Sequence, residues 1–472
     1  MTTDALPTLL PGFAGATLPD WLEARLGTGL GGVCLFAPNI ESRDQLRTLT
    51  DAIYAANPRA IIAIDEEGGD VTRLFAREGS PSPGNAVLGR IDDLDTTAYA
   101  ARQIGAHLRR TGVNLNFAPS VDINSNPDNP VIGVRSFGDT ADRVSAHGAA
   151  WITGLQSTGV AATAKHFPGH GDTALDSHLA LPVIDRSLAD LGERELLPFA
   201  AAIEAGVRVV MTSHILLPQL DADYPATMSG AILGGLLRSE LGFAGVIVTD
   251  ALDMAGAHTA GGLGETAVRA LAAGCDLLCL GTNNTDADLS AIESAVNAAA
   301  LGPGRVEEAA GRVRALADDL AADPPVVPEP DDAWPGGPDQ LTRSFDVQPA
   351  AVAWRDGKVE RSVRVVRLQA RPNSAAGPTP WGPPGTESEI VVSEARPLPP
   401  GPIPDGPILV VGQDIHRHAF ARAAVDRLRA EHAGVLVVDM GWPSPDRRYA
   451  DVATFGASAL IGRALLSFLR LG

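Results

Sequence analysis

Cysteine is nearly absent from this chain of 472 residues: only Cys34, Cys275 and Cys279 occur. They are odd in number, sit on apolar strand-like runs and lack metal-ligand pairing, so buried thiols in a reducing compartment are expected rather than a disulfide framework. Basic residues are scarce as well. Lys and Arg total 37 against 57 Asp and Glu, a net charge of −20. That charge repels nucleic-acid phosphates and anionic membrane surfaces within a screening length of about 8 Å, and a nucleic-acid partner is excluded. No stretch approaches the ~20 consecutive apolar residues of a membrane span. The opening MTTDALPTLLPGFAGATLPDW has no basic segment followed by a continuous apolar run, so it does not read as an export signal. A cytoplasmic protein without a membrane partner is the expectation.

What is present is apolar sequence in short runs. The hydrophobic fraction of 45% suits two or three domains with a sizeable core. Eight runs read as strands: Leu9 to Phe13, Gly32 to Phe36, Ala60 to Asp65, Val113 to Phe117, Ala161 to His166, Arg208 to Ser213, Gly245 to Asp250 and Asp276 to Leu280. Segments of helical period separate them, including Thr96 to Arg110, Ser187 to Ala205, one opened by Ser229 and closed near Gly242, and Val306 to Leu320. Eight strands alternating with helices predict a (β/α)8 TIM-type barrel over residues 1–322.

Several strands run apolar and then end in reactive side chains: Asp65, Lys165 with His166, Ser213 with His214, and Asp250. In a barrel of this type such residues converge on the rim formed by the carboxyl ends of the strands. The densest stretch is KHFPGHGDTALDSH, residues 165–178, with one lysine, three histidines and two aspartates. Pro168, Gly169 and Gly171 end regular structure there and shape a loop.

After the barrel, DPPVVPEPDDAWPGGP is too rich in proline and acid to pack, and residues 323–340 read as a linker. A small α/β sandwich-like domain is expected over 341–472. Its strands are Ser362 to Leu368, Ile390 to Ser393, Pro407 to Gly412 and Gly434 to Asp439, with helices near His418 to His432 and Ala453 to Leu471. Residues 372–389 read as a flexible surface insertion. No phosphate-binding glycine loop or catalytic constellation is legible in this domain, whose expected role is structural or to cover the barrel's mouth.

Residues 165–178 resemble the signature of glycoside hydrolase family 3, in its branch of bacterial β-N-acetylglucosaminidases with a Lys-His-Phe-Pro-Gly-His-Gly…Asp-Ser-His loop. DEEGGDVTR (65–73), NFAPSVDINSNPDNPVIGVRSFGD (116–139), VMTSHI (210–215) and GVIVTDALDMAGA (245–257) are similar to the family's further motifs, in its order. The resemblance covers roughly residues 5–320 and implies a (β/α)8 barrel. It also implies roles. Asp250 stands where the family has its nucleophile, and a strand-end carboxylate suits attack on an anomeric carbon. His178 stands as acid/base with Asp176 as its partner, a pairing that fixes the imidazole tautomer and supports the imidazolium. Asp65, Arg73, Lys165 and His166 resemble residues that grip sugar hydroxyls, and Arg135 one near the 2-acetamido group or the rest of the substrate. His170 is read as loop-stabilising and Asp122 as an anchor of the Asn-rich loop. The chain departs from the family's usual Asp-Gln-Glu-Gly-Gly-Arg at Glu66 and Asp70.

The expected activity is that of a retaining exo-β-N-acetylglucosaminidase (β-N-acetylhexosaminidase) acting, without cofactor or metal, on small saccharides or cell-wall fragments with a terminal β-GlcNAc. Phosphorolysis of β-N-acetylglucosaminides or β-glucosides through the same residues is one alternative. A metal-dependent barrel hydrolase ligated by His166, His170, Asp176 and His178 is another.

Overall fold

The computed structural model describes residues 4–471, except 178, 260, 300, 303, 323–328, 331–333, 358–362, 373–374, 386–389 and 402–405. Contacts divide the chain into two compact units. The first is Met1–Glu67, Leu94–Ser125 and Gly138–Pro330; the second is Gly68–Asp93, Asn126–Phe137 and Asp331–Gly472.

The first unit is built on eight short strands: β1 (Leu9–Leu10), β2 (Gly32–Leu35), β3 (Ile61–Ile64), β4 (Leu115–Asn116), β5 (Ala161–Phe167), β6 (Val209–Thr212), β7 (Val246–Val248) and β8 (Leu278–Cys279). β2 to β7 lie side by side in chain order and β1 pairs with β8, every pair parallel. Two links close the ring. The Cys34 N–H donates to the Pro11 carbonyl at 2.9 Å, and Val248 bridges to Leu277. This is the (β/α)8 barrel that the eight apolar runs predict; each run contains its strand except the fifth, where β5 extends one residue further, to Phe167.

Alternate strand residues fill the interior, among them Leu10, Cys34, Ile61, Ala63, Leu115, Phe117, Met211, Val246, Val248 and Cys279. Val313, Leu316, Ala317 and Leu320 of the helix Arg305–Ala321 pack against them. Ala317 and Leu320 neighbour Ala60 and Asn114, which precede β3 and β4. The helix therefore seals the amino-terminal end and leaves chemistry to the other rim.

The helix expected over residues 187–205 is two, Leu188–Glu193 and Leu197–Glu204. Arg194 leaves helical backbone between them, with φ −139° and ψ −74°. Its guanidinium lies 2.9 Å from Asp172 and 2.5 Å from Glu195. Pro198 then sits in the first turn of the second helix, where its missing N–H breaks no helical bond. Among the described residues no helix is long and apolar enough to cross a membrane.

The second unit has a six-stranded sheet of β9 (Asp346–Val347), β10 (Arg364–Leu368), β11 (Ile390–Val392), β12 (Ile408–Gly412), β13 (Val435–Asp439) and β14 (Val452–Ala453). Its order is β11-β10-β12-β13-β14-β9, parallel but for the antiparallel β9. Val365, Leu409, Val411, Leu436 and Val438 face a core shared with the helix Ala459–Leu469; Val366, Leu368, Ile408, Val410 and Val437 face one shared with the helix Ala419–Glu431. The period-two alternation thus makes a helix–sheet–helix sandwich.

Three expectations are corrected here. The terminal helix begins at Ala459, not Ala453, because Val452 and Ala453 pair as β14. Within the stretch expected as linker, Gly337–Thr342 is helical with Leu341 buried, while 323–328 and 331–333 lie outside the described residues. The described part of 372–389 is held rather than loose. The Gly382 N–H donates to the Ala457 carbonyl at 2.7 Å, and the Arg367 guanidinium stacks 4.6 Å from the Trp381 ring centre.

Candidate active site

All seven residues of β5 are buried, so the two charged groups at its end need partners. Lys165 is one of only two lysines in the chain. Its Nζ lies 2.8 Å from Asp65 Oδ1 and 2.7 Å from Glu67 Oε1. An unpaired ammonium there would cost several kcal/mol, and two carboxylates offset that cost. Glu67 is as buried as the lysine, whereas the Asp65 side chain keeps one-fifth of its surface exposed. Both carboxylates follow directly on β3.

His166 is set from the opposite side by Asp122, in the loop after β4. Its Nδ1 is 2.7 Å from Asp122 Oδ2. Asp122 also accepts the backbone N–H of His170 at 2.7 Å, the backbone N–H of His166 at 3.2 Å and the Ser120 hydroxyl at 2.9 Å. Burial opposes ionisation of Asp122, but the charge and hydrogen bond of His166, with those of His170, hold its carboxyl below the usual carboxylate range. An ionised carboxylate only accepts, so His166 carries a proton on Nδ1. Asp122 therefore fixes the turn from β5 into its loop.

His170 is buried, with Nδ1 2.9 Å from Thr173 Oγ1 and Nε2 2.9 Å from Ser177 Oγ. With both ring nitrogens on hydroxyls it braces the loop and does not serve as a metal ligand, which removes it from the metal-hydrolase set. Gly171 permits the close pass, since a Cβ there would lie 1.6 Å from the Ile123 carbonyl oxygen.

The next two strand ends join this loop. After β6, the Ser213 N–H and hydroxyl both donate to the Phe167 carbonyl at 2.9 Å. His214 is buried, its Nε2 3.1 Å from the Ala251 carbonyl and its Nδ1 2.9 Å from Thr227 Oγ1. Because a carbonyl only accepts, the proton sits on Nε2. Asp250 itself is half-buried beyond β7 and accepts the Ala251 N–H at 2.8 Å. Further along, the Gly256 N–H donates to the Ser177 carbonyl at 3.2 Å. A Cβ at Gly256 would lie 3.0 Å from both His214 Cβ and the Ser177 oxygen.

Asp176, half-buried, turns the loop by accepting the Leu179 and Ala180 N–H groups on its carbonyl at 3.0 and 3.1 Å. His178 lies outside the described residues. Thus Asp65, Lys165, His166, Asp176 and Asp250 all stand on barrel strand ends or the loops after them. Arg73 and Arg135 belong to the second unit. There Arg73 donates to the Ala375 and Ala376 carbonyls at 2.7 and 3.2 Å, and buried Arg135 to the Val131 carbonyl at 3.0 Å.

Sequence reasoning overlooked Glu67 as a partner of Lys165 and the bond of His214 to the Ala251 carbonyl. The first had a signal: three acids in succession past a buried strand, facing a chain with almost no lysine.

The profile of the Glycosyl hydrolase family 3 N terminal domain matches residues 20–316. The chain belongs to glycosyl hydrolase family 3. The rim side chains Asp65, Glu67, Asp122, Lys165, His166, His170, Asp176, His214 and Asp250 fall within the matched range, and the sheet of the second unit falls outside it. Among curated relatives of this family 3 chain, the Beta-hexosaminidase of Methylococcus capsulatus is 40% identical over 299 residues, 62% of this chain and 88% of that protein. The Beta-hexosaminidase A of Pseudoalteromonas piscicida is 42% identical over 265 residues, and the match spans 52% of this chain but only 44% of that longer protein. Among solved structures, a glycoside hydrolase family 3 beta-N-acetylglucosaminidase from Paenibacillus sp. str. FPU-7 superposes with a TM-score of 0.83 at 29% identity, covering 100% of this chain and 97% of that one.

Proposed function

We propose that this family 3 member is a retaining exo-β-N-acetylglucosaminidase that releases terminal GlcNAc from small saccharides or cell-wall fragments. The observation that carries the reading is the Gly256–Ser177 hydrogen bond, which ties the loop following Asp250 to the loop bearing Asp176 and His178. This bond between the two loops supports the assignment of nucleophile and acid/base to Asp250 and the Asp176 loop. The names of the relatives supply the sugar.

In the first step Asp250 attacks the anomeric carbon and His178 protonates the departing oxygen, giving a glycosyl-aspartate. In the second, His178 takes a proton from water, which attacks the anomeric carbon and frees Asp250. Asp176 orients the imidazole and supports its cationic form. Asp65, Lys165 and His166 hold sugar hydroxyls, their charge strengthening each hydrogen bond. The sugar-contacting roles of Arg73 and Arg135 enter the proposal on resemblance alone.

Water is the acceptor we assign. The rim groups Asp65, Glu67, Asp122, Asp176 and Asp250 set five carboxylates against Lys165 and the histidines beside Asp122, a field that disfavours a phosphate dianion. All three cysteines are buried thiols outside any disulfide, which supports the cytoplasmic setting we assign. The test is product analysis on an aryl β-N-acetylglucosaminide with and without phosphate. Free GlcNAc under both conditions is expected; sugar 1-phosphate would replace hydrolysis by phosphorolysis, and absence of turnover would remove the activity.

A further inference from the structure

The break at Arg194 delivers a charge to the loop after β5. Arg194 leaves helical backbone with φ −139°, its Nη2 donates to Asp172 at 2.9 Å and its Nε to Glu195 at 2.6 Å. A run of good helical period that breaks at one residue is a place where tertiary contact overrides local preference, and such conflicts gather at functional sites. Asp172, half-buried, also accepts from the Arg186 guanidinium at 3.1 and 3.2 Å. Glu195 is buried, and a Cβ at Gly169 would lie 2.9 Å from its Cγ. Arg194 and Glu195 therefore clamp the loop, Gly169 by packing and Asp172 by charge.

From the clamped stretch the loop is tied onward by its own side chains. His170 lies between Gly169 and Asp172 in the chain and spans from Thr173 Oγ1 to Ser177 Oγ, 2.9 Å on each side. Ser177 in turn accepts the Gly256 N–H from the loop that follows Asp250. Ala174 and Leu175 are exposed, so the tip is fixed from its two ends and not by packing of its own. Asp176 and His178 are the sequence neighbours of Ser177. Contacts thus run without a gap from Arg194 to the residue between the two groups assigned to proton transfer.

We propose that Arg194 is a positioning residue for proton transfer: with Glu195 it holds Gly169 and Asp172, and through His170 and Ser177 it sets the loop on which Asp176 and His178 act. The inference rests on the acid/base roles proposed above for those two residues. A misplacement of about 1 Å costs on the order of 10²-fold in rate, and here the loss falls on the step in which the leaving oxygen needs a proton. Asp65 and Lys165 precede the clamped stretch, so kcat should fall while KM stays close to the wild-type value.

The experiment compares the full-length wild type with Arg194→Met, Arg194→Lys and Asp172→Asn, the last of which leaves Glu195 paired with Arg194. Hydrogen exchange of peptides spanning residues 169–180 should quicken in Arg194→Met and Asp172→Asn. Arg194→Lys should fall between them and the wild type, because an ammonium lacks the planar fork that serves two carboxylates together. The ratio of kcat on a dinitrophenyl β-N-acetylglucosaminide to kcat on a GlcNAc disaccharide should rise at least about ten-fold in Arg194→Met and return part of the way in Arg194→Lys. Unchanged exchange in both Arg194→Met and Asp172→Asn would overturn the clamp. Faster exchange with equal losses on the two substrates would overturn the positioning role and leave Arg194 a stabiliser of the loop. Wild-type release of GlcNAc from the aryl substrate reports on the proposed function alone, whereas the exchange readout judges the clamp whatever that result.

Discussion

Both units end a parallel sheet in buried carboxylates, and the two ends behave in opposite ways. At the barrel rim Asp122 is buried but sits against His166, whose charge and hydrogen bond outweigh the cost of burial and keep it ionised. Beyond the strands of the second unit, burial and the like charge of Asp414 push Asp439 up to about 7. The same two causes raise Asp70 to about 6, against the lowering hydrogen bond from Ala457. The sign of the neighbour, not the depth of burial, separates them. The rim thus keeps a buried carboxylate charged beside a histidine, whereas the second unit pushes two buried carboxyls toward their neutral form.

The sharpest way to break that contrast is to remove the nucleophile. Asp250→Ala should lower kcat/KM on the order of 10⁴-fold or more while the thermal transition stays in place, because the half-buried side chain accepts a local bond from its own neighbour, the Ala251 N–H. Substantial residual hydrolysis would move the chemistry elsewhere on the rim.

Next in size is the histidine. His178→Ala should cost roughly 10²–10⁴-fold on a natural disaccharide but far less on a dinitrophenyl glycoside, whose leaving group departs without a proton. With the activated substrate the glycosyl-enzyme should accumulate, and azide should restore turnover. Asp176→Ala should follow the same pattern more mildly. Equal losses on both substrates would assign these residues to binding or loop structure.

Lys165→Met tests the pairing of charge at the rim. It strands the Asp65 and Glu67 carboxylates around an apolar side chain, and breaking a buried pair in this way costs about 3–5 kcal/mol. Urea unfolding should show that loss, and a shift under about 1 kcal/mol would mean that the cluster behaves as a surface pair.

The smallest effect separates the units by pH. Asp122 has a lowered folded-state pKa, so its stabilisation is present above the ordinary carboxylate range and is lost as pH falls. Asp70 and Asp439 have raised values, so their contribution is full below about pH 4 and is lost as pH rises through about 6 and about 7. Asp414→Asn removes the repelling charge at a residue with φ +48°, a conformation asparagine tolerates. Hydrogen exchange in the second unit should then weaken less between pH 5 and 8 than in the wild type, with barrel protection unchanged. An identical pH response in variant and wild type would remove Asp414 as the cause.

Much of the barrel was legible because each strand is an apolar run that ends in polar groups, and those ends are also its site. Asp65, Lys165, His166 and Asp250 could be placed on one rim from this pattern alone. Partners across the rim were not legible, since Glu67 reaches Lys165 from about a hundred residues away in the chain and Asp122 reaches His166 across 44 residues. In the second unit, β9 and β14 are two residues long and carry no alternation to detect. The break at Arg194 arises from its ion pairs with Asp172 and Glu195, which override a segment of good helical period.

The most direct test of the proposed chemistry is to trap the intermediate. A 5-fluoro N-acetylglucosaminyl donor, which slows release of the glycosyl-enzyme, should add one sugar mass to the intact protein, and peptide mapping should place it on Asp250. A label on a different residue, or burst-free turnover with no adduct at any time, would contradict a covalent glycosyl-aspartate at this position.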